Sequence, residues 1–269
     1  MTTSTDITSN RKGTMEGLEG KVIVFAGSGG IAASAAEFLG KGGAAVVVGD
    51  IAMESAERAV SAATDAGGDG VPLVTDISSE GDVATLINTA MERYGRIDGL
   101  FNVAANIAPD EVAKDTNVVD IDLDAWQRSL DVNLTGYLLT LRHALPHMIA
   151  GGGGSVVNTM SGAVYAGMED KVAYSVSKAG IGALTRHVAR RYGKDRIRSN
   201  GIAPGMVLTQ QTLANLPESY QELILQGTPS YRHGQPADIG ATLAFLMSDL
   251  SEWITGQIYC IDGGTTMRT

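Results

Sequence analysis

The stretch VIVFAGSGGIA, residues 22–32, decides the fold. Its first half, Val22–Ala26, is apolar without interruption, as expected of a strand that is covered on both faces of a sheet. Glycines follow at Gly27, Gly29 and Gly30, and a helical pattern begins at Ile31. Glycines between a first strand and a helix let the backbone approach a pyrophosphate at the helix N-terminus. The same residues also suit an ordinary tight turn, but the strand before them and the helix after them favour the nucleotide interpretation.

Outward from this stretch, short runs rich in Val and Ile alternate with helical segments. Alternation of this kind predicts a parallel sheet with helices on both faces. We therefore expect an α/β protein with a single doubly wound Rossmann-type domain of about seven strands over residues 18–269, after a flexible N-terminal tail over residues 1–17. The predicted strands are Val22–Ala26, Ala45–Val48, Val71–Thr75, Ile97–Val103, Ser155–Met160, Arg198–Ala203 and Gln257–Ile261. The predicted helices run roughly over residues 31–41, 52–65, 83–94, 123–148, 173–192 and 236–247.

Composition excludes several classes of function. The 269 residues carry a net charge of −10, which repels phosphate backbones, so we expect no nucleic-acid partner. The longest apolar runs are far shorter than the roughly 20 residues that span a bilayer, so we expect no membrane partner. The single cysteine, Cys260, excludes an internal disulfide and suits a reducing compartment, which favours a cytoplasmic location.

Asp50 ends the second predicted strand, 23 positions after Gly27. A carboxylate at this distance accepts hydrogen bonds from an adenosine ribose and would repel a 2′-phosphate. Neither Arg nor Lys stands at positions 28, 49 or 51 to attract that phosphate. The pattern favours NAD over NADP, although Asp50 could instead cap the following helix.

Tyr174 and Lys178 are four residues apart within a predicted helix, so they share one face of it. A nearby ammonium lowers the pKa of a phenol from about 10 toward neutrality, which makes a usable proton donor and acceptor. Ser161 lies 13 residues before Tyr174, just after a predicted strand, and Asn133 lies in the helix before that strand.

With these residues in this order, the chain resembles the short-chain dehydrogenase/reductase family from about Leu18 to Gly264. The pieces that carry the resemblance occur in the family's order: the glycine loop 27–32, Asp50, Asp76, Asn102-Val103-Ala104-Ala105, Asn133, Ser161, Tyr174-x-x-x-Lys178, Pro204-Gly205 and Asp262-Gly263-Gly264. The resemblance implies that Tyr174 is the general acid/base and that Ser161 hydrogen-bonds the substrate oxygen. It also implies that Lys178 tunes Tyr174 and holds the nicotinamide ribose, and that Asn133 positions a water.

The resemblance further implies a bound NAD (NADH) and a homotetramer paired through the long helices Leu123–Met148 and Ala173–Tyr192. The residues that it places at the cofactor are Gly27, Ser28, Gly29, Gly30, Ile31, Asp50, Ile51, Asp76, Ile77, Asn102, Val103, Ala104, Tyr174, Lys178, Pro204, Gly205, Val207 and Thr209.

The chain departs from the family pattern in its glycine loop, which is one residue short. Ala26 replaces a Thr, Ala32 replaces the last Gly, and only two residues separate Gly27 from Gly30. The general form Gly-x-Gly-x-x-Ala is still satisfied by Gly27, Gly29 and Ala32. Val103 stands where the family commonly has Asn, and we expect it to pack into the sheet. The segment Asn106–Asp122 is interpreted as a surface loop near the mouth of the active site.

These residues together predict an NAD-dependent oxidoreductase that interconverts a secondary alcohol and a ketone. The candidate substrate contacts are Ala105, Met160, Tyr165, Met168 and Met206, with a lid over about residues 206–231. Because these side chains are mostly apolar, we expect a small uncharged alcohol or ketone as the substrate.

Other classes of function have weaker support. A non-catalytic dinucleotide-binding sensor is favoured only by the short glycine loop. A hydrolase with Ser161 as nucleophile lacks the Gly-x-Ser-x-Gly elbow. A purely structural assembly protein has no use for the polar groups at these positions. His143 and His147 have the spacing of a zinc pair but lack a third ligand, so we expect no metal.

Overall fold

The computed structural model describes residues 15–267, and within that range seven strands form one parallel sheet in the order β3-β2-β1-β4-β5-β6-β7. The strands are β1 (Val22–Ala26), β2 (Ala45–Asp50), β3 (Asp69–Val74), β4 (Gly99–Asn102), β5 (Gly154–Thr159), β6 (Ile197–Pro204) and β7 (Ile258–Ile261). Each lies within two residues of its predicted bounds. The prediction of a doubly wound α/β domain is confirmed.

Helices cover both faces of this sheet. They are α1 (Ala32–Lys41), α2 (Met53–Asp65), α3 (Glu80–Tyr94), α4 (Pro109–Val112), α5 (Leu123–Leu130), α6 (Gly136–Ala150), α7 (Ala163–Ala166), α8 (Val172–Tyr192), α9 (Gln210–Asn215), α10 (Glu218–Gln226) and α11 (Pro236–Met247). A π-helical segment, Asp131–Thr135, joins α5 to α6, and short 3-10 turns occupy Gly193–Asp195 and Asp249–Ser251.

The apolar run of β1 is buried throughout because its side chains alternate between core clusters on the two faces of the sheet. Ile23 and Phe25 belong to the cluster that α1, α2 and α11 cover, and Phe25 meets Phe101 of β4 edge to face at 5.2 Å. Val22 and Val24 belong to the cluster on the other face, under α3, α6 and α8. The strand therefore reads as continuously apolar, as the sequence predicts.

Three predicted segments differ in secondary structure from the expectation. The single helix predicted over residues 123–148 is interrupted by the π-helical segment, and a π turn adds one residue without disturbing the apolar period enough to be visible in the sequence. The loop 106–122 contains the short helix α4. The lid 206–231 contains helices α9 and α10.

The described residues begin within the predicted N-terminal tail. Most of the predicted tail, residues 1–14, falls outside the described residues, while Met15 already packs against the first core cluster and Leu18 is fully buried. No helix within residues 15–267 is long and apolar enough to cross a membrane.

Because all strands are parallel, their carboxyl ends meet at one edge of the sheet. The glycine loop follows β1, Asp50 ends β2 and Asp76 comes just after β3. Ser161 comes just after β5, and the segment 204–209 follows β6. The fold thus gathers the predicted site residues at a single edge.

Candidate active site

The glycine loop is pressed between two neighbouring loops. Gly27 has φ +99°, and a Cβ there would lie 2.4 Å from the backbone nitrogen of Ala104. A Cβ at Gly30 would lie 2.5 Å from Cβ of Thr209. Only glycine fits at these two positions, so the short loop is held closely against the ends of β4 and β6.

Asp50 joins the end of β2 to this loop. Its Oδ2 accepts a hydrogen bond from the Ser28 amide at 2.7 Å, and its Oδ1 accepts one from the Ala52 amide at 2.9 Å. A carboxylate offers about four acceptor positions, so two remain for a ribose. The interpretations of Asp50 as a ligand residue and as a residue that fixes the next helix are therefore compatible.

The loop has the features that a pyrophosphate needs. The buried hydroxyl of Ser28 has no hydrogen-bond partner among residues 15–267. A Cβ at Gly29 would meet no described atom within 4 Å, so the backbone there borders open space. An unpaired buried hydroxyl beside an open glycine backbone suits a phosphate oxygen, and the residues present fit a dinucleotide.

Asp76, one of the predicted cofactor residues, is held by its own loop and by a distant helix. Its Oδ1 accepts hydrogen bonds from the Ser78 amide at 2.9 Å and from the Ser78 hydroxyl at 2.6 Å. Arg128 of α5 lies 3.5 Å from Oδ2. Partial burial raises the pKa of Asp76, but the Ser78 hydrogen bonds and the Arg128 charge outweigh it and hold that pKa below its usual value. Ile77, the next predicted cofactor residue, is buried in the core.

Lys178 is buried on the inner side of α8, with 1% of its surface exposed. Its Nζ donates to the Thr159 carbonyl at 3.0 Å and to the Tyr137 hydroxyl at 3.4 Å, and it lies 5.8 Å from the centre of the Tyr174 ring. Burial lowers the pKa of Lys178 to about 7. The structure thus brings Lys178 and Tyr174 together, as the spacing predicts.

The pKa of Tyr174 moves in the opposite direction to the sequence expectation. Burial raises it above its usual value, and a hydrogen bond with the Ser161 side chain lowers it by less. Burial lowers the pKa of Lys178 to about 7, so this amine carries little charge at the higher pH where the buried phenol titrates. Ser161 also accepts a hydrogen bond from the Ala163 amide at 3.2 Å.

Asn133 lies in the π-helical segment and is fully buried. Its Oδ1 accepts from the Asn106 amide at 2.7 Å, and its Nδ2 donates to the Ser177 hydroxyl at 3.1 Å. Ser177 in turn donates to the Tyr174 carbonyl at 2.7 Å. The side chain therefore ties the segment after β4 to helix α8, and its implied role with a water stays a prediction.

Asn102 and Val103 turn their side chains away from the cleft. Asn102 belongs to a buried polar chain in which the Thr140 hydroxyl donates to Asn102 at 2.7 Å, Asn102 donates to Asn158 at 2.8 Å, and Asn158 donates to Thr185 at 3.0 Å. Val103 packs into a core cluster, as expected. These two residues, together with Ala104, offer a cofactor chiefly their backbone.

The segment after β6 closes the other side of the cleft. A Cβ at Gly205 would lie 2.7 Å from Cα of Asp262, so this turn packs closely on the C-terminal residues. Val207 is buried, and Pro204 is half-buried at the strand end. Thr209 begins α9 by accepting a hydrogen bond from the Thr212 amide at 3.1 Å while it contacts Gly30.

The predicted substrate contacts differ in burial and position. Ala105, Tyr165 and Met206 are half-buried and follow the carboxyl ends of β4, β5 and β6. Met160 is only 4% exposed and packs in the core against Gly182, and its contact with a substrate stays a prediction. Met168 is 43% exposed and lines a cavity of about 270 Å³ that Tyr174 does not line.

Sequence reasoning missed Tyr137 and Arg128. Tyr137 is fully buried, donates to the Ala104 carbonyl at 2.9 Å and receives the Lys178 hydrogen bond, so it links the cleft wall to the lysine. Its position four residues after Asn133 on a helical pattern was the available signal.

Within residues 15–267 no group of three or more His, Cys, Asp or Glu could hold a metal ion, and His143 pairs with Glu80 at 3.1 Å.

The chain is similar to known proteins over most of its length. A protein-family profile described as enoyl-(acyl carrier protein) reductase matches residues 25–266. The chain is 33% identical to a 7alpha-hydroxysteroid dehydrogenase of Bacteroides fragilis, over 94% of this chain and 97% of that protein. It is 35% identical to a cis-4-hydroxycyclohexanecarboxylate dehydrogenase of Sinomonas cyclohexanicum, over 91% of this chain and 95% of that protein. The crystal structure of levodione reductase superposes with a TM-score of 0.84 at 31% identity, covering 91% of this chain and 97% of that one.

Proposed function

Because the chain belongs to the short-chain dehydrogenase/reductase family of oxidoreductases, which bind nicotinamide dinucleotides, we propose that it interconverts a secondary alcohol and a ketone with NAD as its cofactor. The observation that carries the proposal is the meeting of Ser161, Tyr174 and Lys178 at the edge of the sheet where the glycine loop also lies. The loop residues Gly27–Ile31 would hold the pyrophosphate, and Lys178 would hold the nicotinamide ribose. When bound, the nicotinamide supplies or accepts the hydride.

The chain's own residues would manage the proton and the orientation of the substrate. In alcohol oxidation the Tyr174 oxygen takes the hydroxyl proton, and in ketone reduction it returns that proton. Ser161 donates a hydrogen bond to the substrate oxygen in both states. Lys178, held by the Thr159 carbonyl, places positive charge close to Tyr174 whenever it is protonated.

The preference for NAD rests on Asp50. Its carboxylate lies at the end of β2 with acceptor capacity left for a ribose, and it would repel a 2′-phosphate. Positions 28, 49 and 51 are Ser, Gly and Ile, none of which carries a positive charge.

A hydroxyl group on a ring is the substrate feature that we propose. Two relatives are named for a hydroxysteroid and for a hydroxycyclohexanecarboxylate, and both names specify a hydroxyl on a ring system. The half-buried apolar residues Ala105 and Met206 suit the uncharged part of such a molecule.

We also propose a homotetramer, from the family resemblance, and a cytoplasmic location, from the single cysteine.

The first experiment is a fluorescence titration of the purified protein with NADH and with NADPH. We expect NADH to bind more tightly. The holoprotein is then given NAD and a panel of cyclic secondary alcohols, and Tyr174→Phe should lower kcat by about 100-fold or more while NADH affinity stays within about twofold. Tyr94→Phe, which removes an exposed hydroxyl bonded to Asp69 on the far side of the molecule, is the matched control.

A dinucleotide-binding sensor would give a different pattern. It would bind NADH, turn over none of the alcohols or corresponding ketones, and respond in the same way to Tyr174→Phe and to Tyr94→Phe. Failure to bind either dinucleotide would overturn both functions, because the shortened loop would then hold no pyrophosphate.

A further inference from the structure

The N-terminus of helix α8 is held by two residues from far upstream in the chain. Helices begin with about four amide groups that have no partner within the helix. Here the amides of Lys171 and Val172 donate to the carbonyls of Asp115 and Thr116, at 2.9 and 3.2 Å. The amides of Ala173 and Tyr174 donate to the two carboxylate oxygens of Asp115, at 2.9 and 2.8 Å. All four amides are therefore satisfied by Asp115 and Thr116.

No local side chain performs this task. The residue before the helix is Lys171, which has φ +65° and makes no side-chain capping bond. A lysine with a left-handed backbone is a strained start for a helix, and the chain keeps this conformation because the upstream segment holds it. Asp115 itself is 4% exposed, so its carboxylate is shielded from water and its bonds to the amides are not loosened by solvent.

The bond to Tyr174 is direct. Asp115 Oδ2 contacts the backbone amide of the residue that we propose as the general acid/base, so a shift of the carboxylate moves the first turn of α8 and the phenol with it. One turn further on, the chain Asn106–Asn133–Ser177 ties the same upstream segment to α8. The segment between β4 and α5 is thus connected to the first two turns of α8, the helix that carries Tyr174 and Lys178.

We propose that Asp115 is a positioning residue for Tyr174, an inference that rests on the proposed function. Its carboxylate sets where the phenol stands relative to Ser161 and to the bound substrate. Because misplacement of a reacting group by about 1 Å lowers rates about 100-fold, loss of this anchor should reduce the rate of hydride transfer more than it reduces binding.

The test compares Asp115→Ala and Asp115→Asn with wild-type holoprotein well below its melting temperature. Single-turnover rates are followed, since they report hydride transfer rather than product release. We expect Asp115→Ala to lower that rate about 10- to 100-fold while KM and NADH affinity change by less than about threefold. Asp115→Asn keeps the side-chain shape and one acceptor, so it should recover part of the rate.

Asp122→Asn is the matched control, because Asp122 caps α5 from the same segment by accepting a hydrogen bond from the Asp124 amide at 2.8 Å. It should lower thermal stability slightly and leave the single-turnover rate unchanged. A second readout needs no activity: in the ligand-free protein, Asp115→Asn should speed amide hydrogen exchange in residues 171–178 and leave α3 unchanged.

The failures are distinguishable. Unchanged single-turnover rates in both Asp115 variants, with only a lower melting temperature, would overturn the positioning role and leave a simple helix cap. If Asp115→Ala does not fold, the same criterion applies to Asp115→Asn alone. A wild-type protein that binds NADH but shows no turnover would overturn the proposed function itself, whatever the exchange data for residues 171–178.

Discussion

Lys178 is a buried amine whose charge depends on what surrounds it. Its ammonium donates hydrogen bonds to the Thr159 carbonyl and to the Tyr137 hydroxyl, both of which are uncharged, and burial lowers its pKa. With a pKa of about 7, the amine loses its proton in the range where an exposed lysine keeps it. The fold therefore carries an electrostatic cost at this position, as is common where a side chain is kept for function.

This cost makes stability depend on pH with a definite sign. The unfolded chain keeps the Lys178 proton up to about pH 10, while the folded chain releases it near pH 7, so the unfolded state binds more protons between these values. The contribution of Lys178 to stability must rise with pH over this window. Relative to Lys178→Met, the wild-type free energy of unfolding should increase by about 1 to 3 kcal/mol from pH 7 to pH 9.5.

Chemical denaturation at a series of pH values measures this difference. Lys194→Met, at an exposed position, controls for the loss of a lysine as such. A constant difference between wild type and Lys178→Met across the window would contradict the depressed pKa.

Tyr174 leads to a prediction about rate. Its raised pKa means that the phenolate is a minor species near neutral pH, and alcohol oxidation needs that phenolate. The rate of oxidation should therefore rise with pH from 6 to 10, while ketone reduction, which needs the phenol, stays nearly level over most of this range. Single-turnover measurements in both directions check this, and a level oxidation rate under these conditions would remove Tyr174 from the role of base.

The glycine loop is the element on which the cofactor proposal depends. Two separate features require glycine at position 27. The first is its φ of +99°, and the second is that a Cβ there would lie 2.4 Å from the Ala104 nitrogen, which is backbone and cannot easily move aside. Gly20 has only the first feature, because its φ is +71° and its Cβ position is open. Alanine variants at Gly27 and Gly20 therefore separate the effect of backbone strain, which both share, from the effect of the steric clash, which only Gly27 has.

We expect Gly27→Ala to weaken NADH binding at least about tenfold and to lower stability by more than Gly20→Ala, for which about 1 kcal/mol is expected. Titration with NADH and thermal unfolding of both variants measure the two effects. Equal NADH affinities in the two variants would mean that the loop does not approach the pyrophosphate as proposed.

Elements with a repeating pattern were predictable from the sequence, and contacts between distant residues were not. The apolar run of β1 and the i, i+4 spacing of Tyr174 and Lys178 were visible because they are local. The role of Asp115 was not predictable, since nothing near it in the sequence indicates contact with a helix that begins 57 positions later. The same holds for Arg128, which reaches Asp76 across 52 positions. Met160 comes directly after a strand, where the local sequence does not show whether a side chain faces the cleft or packs in the core, as Met160 does.

At the scale of the whole molecule, the parallel sheet gathers the loops after its strands into one cleft, so a ligand there touches many elements at once. Such a ligand stabilises the folded chain by mass action. At 100 times its Kd, NADH should add about 2.7 kcal/mol, which corresponds to a rise in melting temperature of about 5 to 10 °C. NADPH at the same concentration should give a smaller rise, and a larger one would contradict the role of Asp50.

The strand order also bears on how the protein is made. Every strand after β1 pairs with a strand that the ribosome has already produced: β2 with β1, β3 with β2, β4 with the free side of β1, and then β5, β6 and β7 each at the growing edge. The sheet can therefore grow during synthesis without inserting a strand between two partners. Helix α11 covers its partner late, because it packs on α1, with Gly240 against Ser34, yet is made about 200 residues after it. At about 5 to 20 residues per second, the side of α1 that α11 covers stays exposed for roughly 10 to 40 seconds of synthesis.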